Sequence, residues 1–416
     1  MSSLATRAVS TAIRWPRTRR AALCHPPHRV DLEPGDWLAC AAALLRRDER
    51  AARRVLESSW APDGDGLAFL SVRSAFDCAL TALAWPAGSE VLVSAVNIRE
   101  MVELIRAHGL VPVPLELDPE TMLPPLRAVR AATGPRTRGL LVAHLFGARA
   151  DLGPLLATAR CLGLTTFEDA AQAFAGPDDR GHAGADLTLF SFGTIKTATA
   201  LGGALVRVGS PALRDRMAAI QAGWPRQPRA SYARKVVTAL VLLLLQRPLV
   251  YTAFAAACRA LGHEAGAIAR RLTRGFGGLT IDALVRALRH RPSAPLLAAL
   301  DRRLRRHDRR GAGRLAARRR WGERVAARFE VLGAGHRRHG HWLLPVRVDD
   351  TAAAQARLRA VGVDASGPSN IVELGAARVL DHVVFVPAYP ELSAAARRRV
   401  LAALRGVSPV AERIAC

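Results

Sequence analysis

The chain has 416 residues, half of them hydrophobic, so it can bury a large core, and its length predicts two or three domains. Its formal net charge of +25 would suit a nucleic-acid-binding protein, but lysine occurs only at Lys196 and Lys235, and every other basic residue is arginine. This indicates a general bias toward arginine rather than a basic groove, and with 5% aromatic residues and no aromatic-interleaved basic strand, no nucleic-acid partner is expected.

The N-terminal part, residues 1–66, is predicted to be an arm followed by helices. Its first thirty residues are rich in arginine but lack the uninterrupted apolar core of a secretory signal. Because arginine is frequent throughout the chain, we interpret them as an ordinary arm rather than as a targeting segment.

A large α/β domain is predicted for residues 67–220, where short apolar runs alternate with helical patterns. Its strands are largely apolar, as in a mainly parallel sheet covered on both faces. The predicted strands are Glu90–Ser94, Leu110–Leu115, Gly139–His144, Leu164–Glu168, Asp186–Ser191 and Ala204–Val208, with helices at Ser74–Ala84, Arg99–His108 and Leu152–Leu162.

The alternation stops after residue 220, and residues 221–320 are predicted to form a helical insertion. An arginine-rich helical stretch, Leu284–Phe329, should be broken at Pro292, Pro295 and Gly311–Gly313. Residues 321–416 then read as a small C-terminal α+β domain. Its strands are expected in HWLLPVRV and VVFVPAY, and its helices at Ala352–Val361 and Ser393–Leu404.

The insertion begins with two apolar runs of ten residues, Val236–Leu245 and Leu249–Cys258. Each would span about 15 Å as a helix, half of what a bilayer core requires, so a transmembrane pass is not expected. One interpretation is a hairpin buried in a dimer interface or against the large domain. The other is a peripheral membrane contact through residues 236–258, which would suit a lipid-linked substrate. The flanking cations are Arg226, Arg229, Arg234, Lys235, Arg259, Arg270 and Arg271.

The six cysteines are scattered through the chain, without a C-x-x-C pair or a Cys/His cluster of metal-ligand spacing. No metal site and no disulfide framework are therefore expected. This pattern is typical of a reducing compartment, so we predict a cytoplasmic protein, with membrane association as the alternative that the apolar runs leave open.

Lys196 is the strongest candidate for chemistry. Arginine replaces lysine at most charged positions of this chain, but its guanidinium cannot form a Schiff base. Lys196 follows an apolar strand and precedes Gly202-Gly203, and α/β enzymes carry reactive groups in such loops. Lys235 stands beside Arg234, just before the first apolar run, and is interpreted as an ordinary surface lysine.

Two further segments can bind the parts of a phosphorylated pyridine. Asp169, at the end of a strand, can keep a pyridine nitrogen protonated, and Gln172 can reach the ring's phenolic oxygen if the chain turns helical there. Alternatively, E-D-A-A-Q is simply the acidic start of a helix. Ser74 opens a helix where free N–H groups suit a phosphate, a role compatible with a plain N-cap, and Ser191 offers a second hydroxyl.

These segments resemble the DegT/DnrJ/StrS family of sugar aminotransferases, which are fold-type-I pyridoxal-phosphate enzymes. The resemblance runs from about Phe69 to Met217 and, more loosely, through the small domain. FEDAAQAFAG is similar to the family's "E-D-A-A-Q-A" signature, and SFGTIKTATALGGALV to its "S-F-x-x-x-K…G-G" signature. AGSEVLVSAVNIREMVELIRAHGLVPVPLELDPET and LVAHLFGARADL are similar to the strands and helix that precede them. The resemblance implies a three-layer large domain and a homodimer.

The same resemblance assigns the cofactor contacts. It implies that Lys196 forms the Schiff base with pyridoxal 5′-phosphate and that Asp169 pairs with the pyridinium nitrogen. Gln172 would contact the cofactor's O3′, and Ile98 would cover the ring face where relatives carry an aromatic residue. The phosphate would be bound by Ser74, Ala75 and Ser191.

The chain departs from the family in two segments. No G-x-N-x-R segment, which in relatives supplies a phosphate contact from the partner subunit, follows the lysine. GVDASGPSNIVELG replaces the family's histidine-containing "H-Y-x-x-P-x-H" stretch, so the acceptor need not be a nucleotide-linked keto sugar.

The predicted function is transfer of an amino group from an amino acid to a keto or aldehyde acceptor, such as a sugar or a lipid-linked compound. The alternatives are another pyridoxal-phosphate reaction on the same scaffold and a non-catalytic, membrane-associated member of the family. Lys196, Asp169 and Gln172 are all retained, which favours catalysis.

Overall fold

A seven-stranded sheet forms the centre of the computed structural model, which describes residues 23–407 except 274, 275, 277, 369 and 370. The first 22 residues of the predicted N-terminal arm lie outside the described part. The strands are β1 Gly66–Phe69, β2 Glu90–Ser94, β3 Val96–Ile98, β4 Val111–Leu115, β5 Thr137–Ala143, β6 Ala148–Arg149, β7 Thr165–Asp169, β8 Leu187–Ser191, β9 Ala204–Val208, β10 Arg338–His339, β11 Leu344–Arg347, β12 Ile371–Glu373 and β13 Val383–Val386.

The strand order of the sheet is β1-β9-β8-β7-β5-β2-β4. β9 runs antiparallel to both of its neighbours, and the other pairs are parallel. β5, β8 and β9 are almost wholly buried, because apolar side chains on both faces of each strand pack under helices. The predicted α/β class with a mainly parallel sheet is confirmed.

Helices cover the sheet and build the rest of the chain. Several begin at a side chain that accepts a hydrogen bond from the first turn, as Ser71 does from the N–H of Ser74 and Asp350 does from that of Ala352. The helices are α1 Pro34–Ala43, α2 Glu49–Trp60, α3 Val72–Leu83, α4 Arg99–Ala107, α5 Leu126–Ala132, α6 Gly153–Cys161, α7 Pro211–Ala222, α8 Arg229–Leu245, α9 Pro248–Ala260, α10 Ala265–Thr273, α11 Ile281–Leu288, α12 Ala294–Ala326, α13 Thr351–Ala360 and α14 Ala394–Leu404.

The two apolar runs form α8 and α9, which are bent by 95° at the break between them. Within the described residues, no single helix is long and apolar enough to cross a membrane, although this bent pair reaches the necessary length and composition together. The inner side of α8 packs into the core through Tyr232, Val236 and Ala239. Other apolar side chains of the pair remain exposed, so burial against the large domain covers only part of it.

The long helix α12 corrects the prediction of a break at Gly311–Gly313, because it continues through both glycines. A glycine inside a helix costs about 1 kcal/mol relative to alanine, and tertiary packing offsets that cost. A Cβ at position 311 would lie 2.2 Å from the ring of His307, so the bare backbone makes room for that ring. The prediction of a break near Pro292 is consistent with the gap between α11 and α12.

The C-terminal part places β11 and β13 as an antiparallel pair against α13 and α14. Their apolar faces form a core of their own, with Val346, Val384 and Leu358 fully buried. The pair β3–β12 and the pair β6–β10 join this part to the loops of the large sheet. Residues of distant segments are therefore brought to the carboxyl ends of the central strands.

Candidate active site

Three neighbouring central strands present polar residues at their carboxyl ends, where open α/β sheets bind ligands. Asp169 is the last residue of β7, Ser191 is the last residue of β8, and His144 directly follows β5. Lys196 lies in the turn after β8, where its N–H donates to the carbonyl of Gly193 at 2.9 Å. The sheet order β8-β7-β5 thus brings together the residues singled out in two separate sequence segments.

The pKa of the Lys196 amine is well below that of an ordinary lysine. Burial lowers its pKa to about 8, although attraction to Asp169 opposes that shift, and repulsion from Arg73 reinforces it. Its Nζ lies 4.1 Å from the ring centroid of Trp342, and the indole N–H of Trp342 donates to the carbonyl of Ile195 at 2.9 Å. A lysine held in this way has a substantial fraction of free amine near pH 8, as attack on a carbonyl requires.

Asp169 is a buried carboxyl, 7% exposed, that lacks a directly bonded cation in the described structure. It accepts a hydrogen bond from the N–H of Ala171 at 2.9 Å. Burial raises its pKa, although that bond and the charges of Lys196, His144 and Arg73 oppose the shift. A cation placed against this carboxyl would therefore be strongly favoured, which suits a protonated ring nitrogen.

A buried network beside Asp169 was not found by sequence reasoning. Glu168 receives hydrogen bonds from Thr188 Oγ1 and the N–H of His182, and its Oε1 lies 2.8 Å from Nε2 of His144 and 3.1 Å from Nη1 of Arg149. Despite burial, these partners lower the pKa of Glu168 to about 2. The N–H of His144 also donates to the carbonyl of Asp169, so the network fixes the end of β7.

Gln172 lies in a turn, so both the expectation that the chain becomes helical here and the alternative of a helix start are wrong. Its Oε1 accepts the N–H of Phe146 at 2.8 Å. Its side-chain NH₂ makes no hydrogen bond to the described part of the chain and remains available as a donor. The turn brings Gln172 to the same edge of the sheet as Asp169, as the predicted contact with a ring oxygen needs.

The predicted phosphate-binding segment begins one turn earlier than expected, because the N-cap of α3 is Ser71 rather than Ser74. Ser74 is fully buried, and its Oγ lies 2.9 Å from that of Ser71. The N–H of Ala75 already donates to the carbonyl of Ser71, so the free donors at this end belong to Val72 and Arg73. The role of Ala75 in phosphate binding thus stays a prediction without a free N–H to support it.

Ser191 and Ile98 occupy different surroundings. Ser191 ends β8 with its Oγ 3.5 Å from the N–H of Gly193, in the turn that leads to Lys196. Ile98 ends β3 and pairs with Ile371 of β12. The aromatic ring that contacts the lysine is that of Trp342, which reaches it from a segment 146 residues further along the chain.

A cleft opens beside Lys196 with an empty volume of about 520 Å³, part of it open to solvent. Its cations are Arg29, Arg314 and Arg318, of which Arg318 is buried and donates to Oγ1 of Thr197 at 3.2 Å. The lining residues are Pro27, His28, Arg29, Asp31, Ile195, Lys196, Thr197, Arg314, Arg318, Trp342, Leu343, Ala388, Tyr389 and Pro390. Among the described residues, no cluster of three or more His, Cys, Asp or Glu side chains could hold a metal ion.

Comparison with known proteins assigns residues 59–239 to the model of the DegT/DnrJ/EryC1/StrS aminotransferase family. The family resemblance predicted from the sequence is thereby confirmed.

Solved structures share the fold over nearly the whole chain. The sugar aminotransferase CalS13 from Micromonospora echinospora matches with 19% identity and a TM-score of 0.62, covering 92% of this chain and 99% of its own. PseC from Helicobacter pylori, an aminotransferase involved in the biosynthesis of pseudoaminic acid, has 12% identity, a TM-score of 0.66 and coverages of 92% and 100%. NtdA from Bacillus subtilis with bound cofactor PMP has 16% identity, a TM-score of 0.65 and coverages of 94% and 86%.

Proposed function

Because residues 59–239 match the model of the DegT/DnrJ/EryC1/StrS aminotransferase family, we propose that this chain is a pyridoxal-phosphate-dependent enzyme that moves an amino group from an amino acid to a keto or aldehyde acceptor. The observation that carries the proposal is the placement of two residues at adjacent strand ends. Burial lowers the pKa of Lys196 to about 8, and burial raises the pKa of the neighbouring Asp169, whose carboxylate a cation would stabilise. A chance surface lysine would have neither the lowered pKa nor that neighbour.

The residues present fit the cofactor. When bound, pyridoxal phosphate supplies an electron-withdrawing ring that stabilises negative charge at the substrate's α-carbon. Asp169 would hold the ring nitrogen, and Gln172 would donate its NH₂ to the ring oxygen. Ser74, Ser191 and the N-terminus of α3 would bind the phosphate, and Ile98 would cover one face of the ring.

Lys196 would have two tasks in catalysis. Its free amine would bind the cofactor between turnovers, and after an amino acid replaces it there, the same amine would move a proton to and from the substrate's α-carbon. Trp342 would cover Lys196 and exclude water. The cationic cleft would bind a carboxylate or phosphate of a substrate, since Arg318 is buried in it with its Nε unbonded.

A sugar is the favoured acceptor, because CalS13 is described as a sugar aminotransferase. A lipid-linked acceptor is the alternative that the bent pair of helices α8 and α9 supports. Other pyridoxal-phosphate chemistry would use the same Lys196 and Asp169. A non-catalytic role would not explain why both residues are retained side by side. We further propose a cytoplasmic homodimer; Cys40, Cys78, Cys161 and Cys258 are free thiols, in keeping with a reducing compartment.

The reaction class is tested by adding single amino acids to purified protein loaded with pyridoxal phosphate. We expect a yellow protein whose visible absorption is lost with one or a few amino donors and returns with the matching keto acid. Retention of the colour with every amino acid, while carbon dioxide or another product forms, would assign the scaffold to a different reaction.

The bent pair of helices supports a peripheral contact with a membrane surface. Apolar side chains project into solvent on both helices, with Leu249 72% and Val237 63% exposed. So many neighbouring exposed apolar side chains are unusual on the surface of a soluble monomer, and the exposed arginines at both ends of the pair suit anionic head groups. The exposed apolar residues are Val237, Leu240, Val241, Leu244, Leu249 and Val250.

We expect the protein to float with vesicles of anionic phospholipid and to lose most of that binding when Leu244 and Leu249 are both replaced by Gln. High salt should weaken binding only partly, because apolar insertion is not screened as surface charge is. The matched control replaces Val111 of β4 and Leu126 of α5, which are 45% and 38% exposed, by Gln and should still float. If the wild-type protein does not bind vesicles and its dimer dissociates when Leu244 and Leu249 are replaced, the surface instead binds a second copy of the chain.

A further inference from the structure

The second lysine of the chain is not an ordinary surface residue. Lys235 lies on α8 on the side that faces the large domain, between the buried Tyr232 and Val236. Its Nζ approaches the backbone of Gly202 so closely that a Cβ at that position would lie 3.2 Å from it. The interpretation of Lys235 as a plain surface lysine is therefore corrected.

Gly202 and Gly203 connect the two segments that would bind a phosphate. The N–H of Gly203 donates to the carbonyl of Leu70, the residue before the N-cap of α3. Its carbonyl accepts the N–H of Phe192, the residue after Ser191. The ammonium of Lys235 consequently lies beside the start of α3 and the end of β8.

The charge of Lys235 has no counter-ion in the described part of the chain. No ion pair or hydrogen bond of its Nζ is found there, and the charged group that acts on it is another cation, Arg73. Burial and Arg73 both lower the pKa of Lys235. Arg73 itself is paired with Glu100 at 3.1 Å, so the carboxylate of Glu100 does not serve as a counter-ion for Lys235. Two cations so placed favour an anion between them.

We propose that Lys235 binds the phosphate group of the cofactor from within the same chain, together with the N–H groups of Val72 and Arg73. This inference rests on the proposed function, because it concerns the phosphate of the cofactor held at Lys196. It accounts for the missing G-x-N-x-R segment, since the cation would come from α8 rather than from a partner subunit. A compact ammonium also fits beside Gly202 where a planar guanidinium would need more space, which explains a lysine in a chain that otherwise uses arginine.

The test compares two ligands that differ only in the phosphate. In Lys235→Met we expect the Kd for pyridoxal phosphate to rise about 10- to 100-fold, the usual loss for one hydrogen bond to a charged group, and the Kd for pyridoxal to stay unchanged. Arg234→Met removes the same charge from the exposed neighbouring position and should change neither value. Lys235→Arg should lie between wild type and Lys235→Met.

Inorganic phosphate provides a readout that does not involve Lys196. It should raise the melting temperature of wild-type apoprotein and weaken pyridoxal-phosphate binding, and Lys235→Met should lose both effects. Equal changes in the Kd for both ligands, or a pyridoxal-phosphate affinity unaffected by Lys235→Met, would overturn the role of Lys235 alone. A wild-type protein that binds inorganic phosphate through Lys235 but never binds pyridoxal phosphate would overturn the proposed function alone.

Discussion

Lys196→Arg should lower the rate of amino transfer about 10³-fold or more, because arginine keeps the positive charge but is neither a nucleophile nor a proton acceptor at neutral pH. The guanidinium would still face Asp169, so folding should be preserved. The measurement is the single-turnover loss of the visible absorption after an amino donor is added.

Arg234→Lys is the matched control, since it exchanges the same two residue types at an exposed position of α8. It should turn over at the wild-type rate. Near-normal transfer by Lys196→Arg would show that another group carries out the proton transfer and that the assignment of Lys196 is wrong.

Asp169→Asn should slow the same half-reaction about 10²–10³-fold, the usual effect of removing one preorganised electrostatic contact. The amide has nearly the same size, but it carries no charge to keep the ring nitrogen protonated. Because burial already raises the pKa of Asp169, the loss of its charge should not destabilise the apoprotein, and its melting temperature should not fall.

Asp63→Asn, at a carboxylate that is 78% exposed, controls for a change of net charge and should react as wild type does. If Asp169→Asn transferred the amino group at the wild-type rate, the ring nitrogen would have to be bound elsewhere.

Local sequence patterns were sufficient to predict six of the seven strands of the sheet, all except β1, and the polar residues at its edge. β2 and β9 have the predicted bounds, because an apolar run covered on both faces is a strong and local signal. Lys196 and Asp169 follow such runs, so the sheet determines their positions once its strands are known. Because crossover connections between parallel strands are right-handed, neighbouring strands of the sheet then have their carboxyl ends at the same edge.

Contacts between distant segments could not be predicted in the same way. Trp342 and Arg318 reach Lys196 and Thr197 from parts of the chain more than 100 residues away, and no periodicity encodes such contacts. The course of α12 through Gly311 depends on helix packing that outweighs local propensity. The position of Lys235 beside Arg234 predicted a surface lysine, but successive side chains of a helix point in different directions, and in α8 Arg234 is exposed while Lys235 faces the large domain.

The rarity of lysine was the one signal that could have identified Lys235 from the sequence. A chain that uses arginine at nearly every basic position retains lysine where a guanidinium does not serve, and this holds for position 235 as it does for position 196. The same reasoning predicts a specific role for Lys235 as well as for Lys196.

Borohydride reduction of the pyridoxal-phosphate-loaded protein, followed by mass mapping of its peptides, tests the central claim most directly. The chain has two lysines, so the map discriminates between only two side-chain amines. We expect the pyridoxyl group on the peptide that contains Lys196, and none on the peptide that contains Lys235. A pyridoxyl group on Lys235, or a protein that acquires none on either lysine, would contradict the assignment of Lys196 as the residue that binds the cofactor.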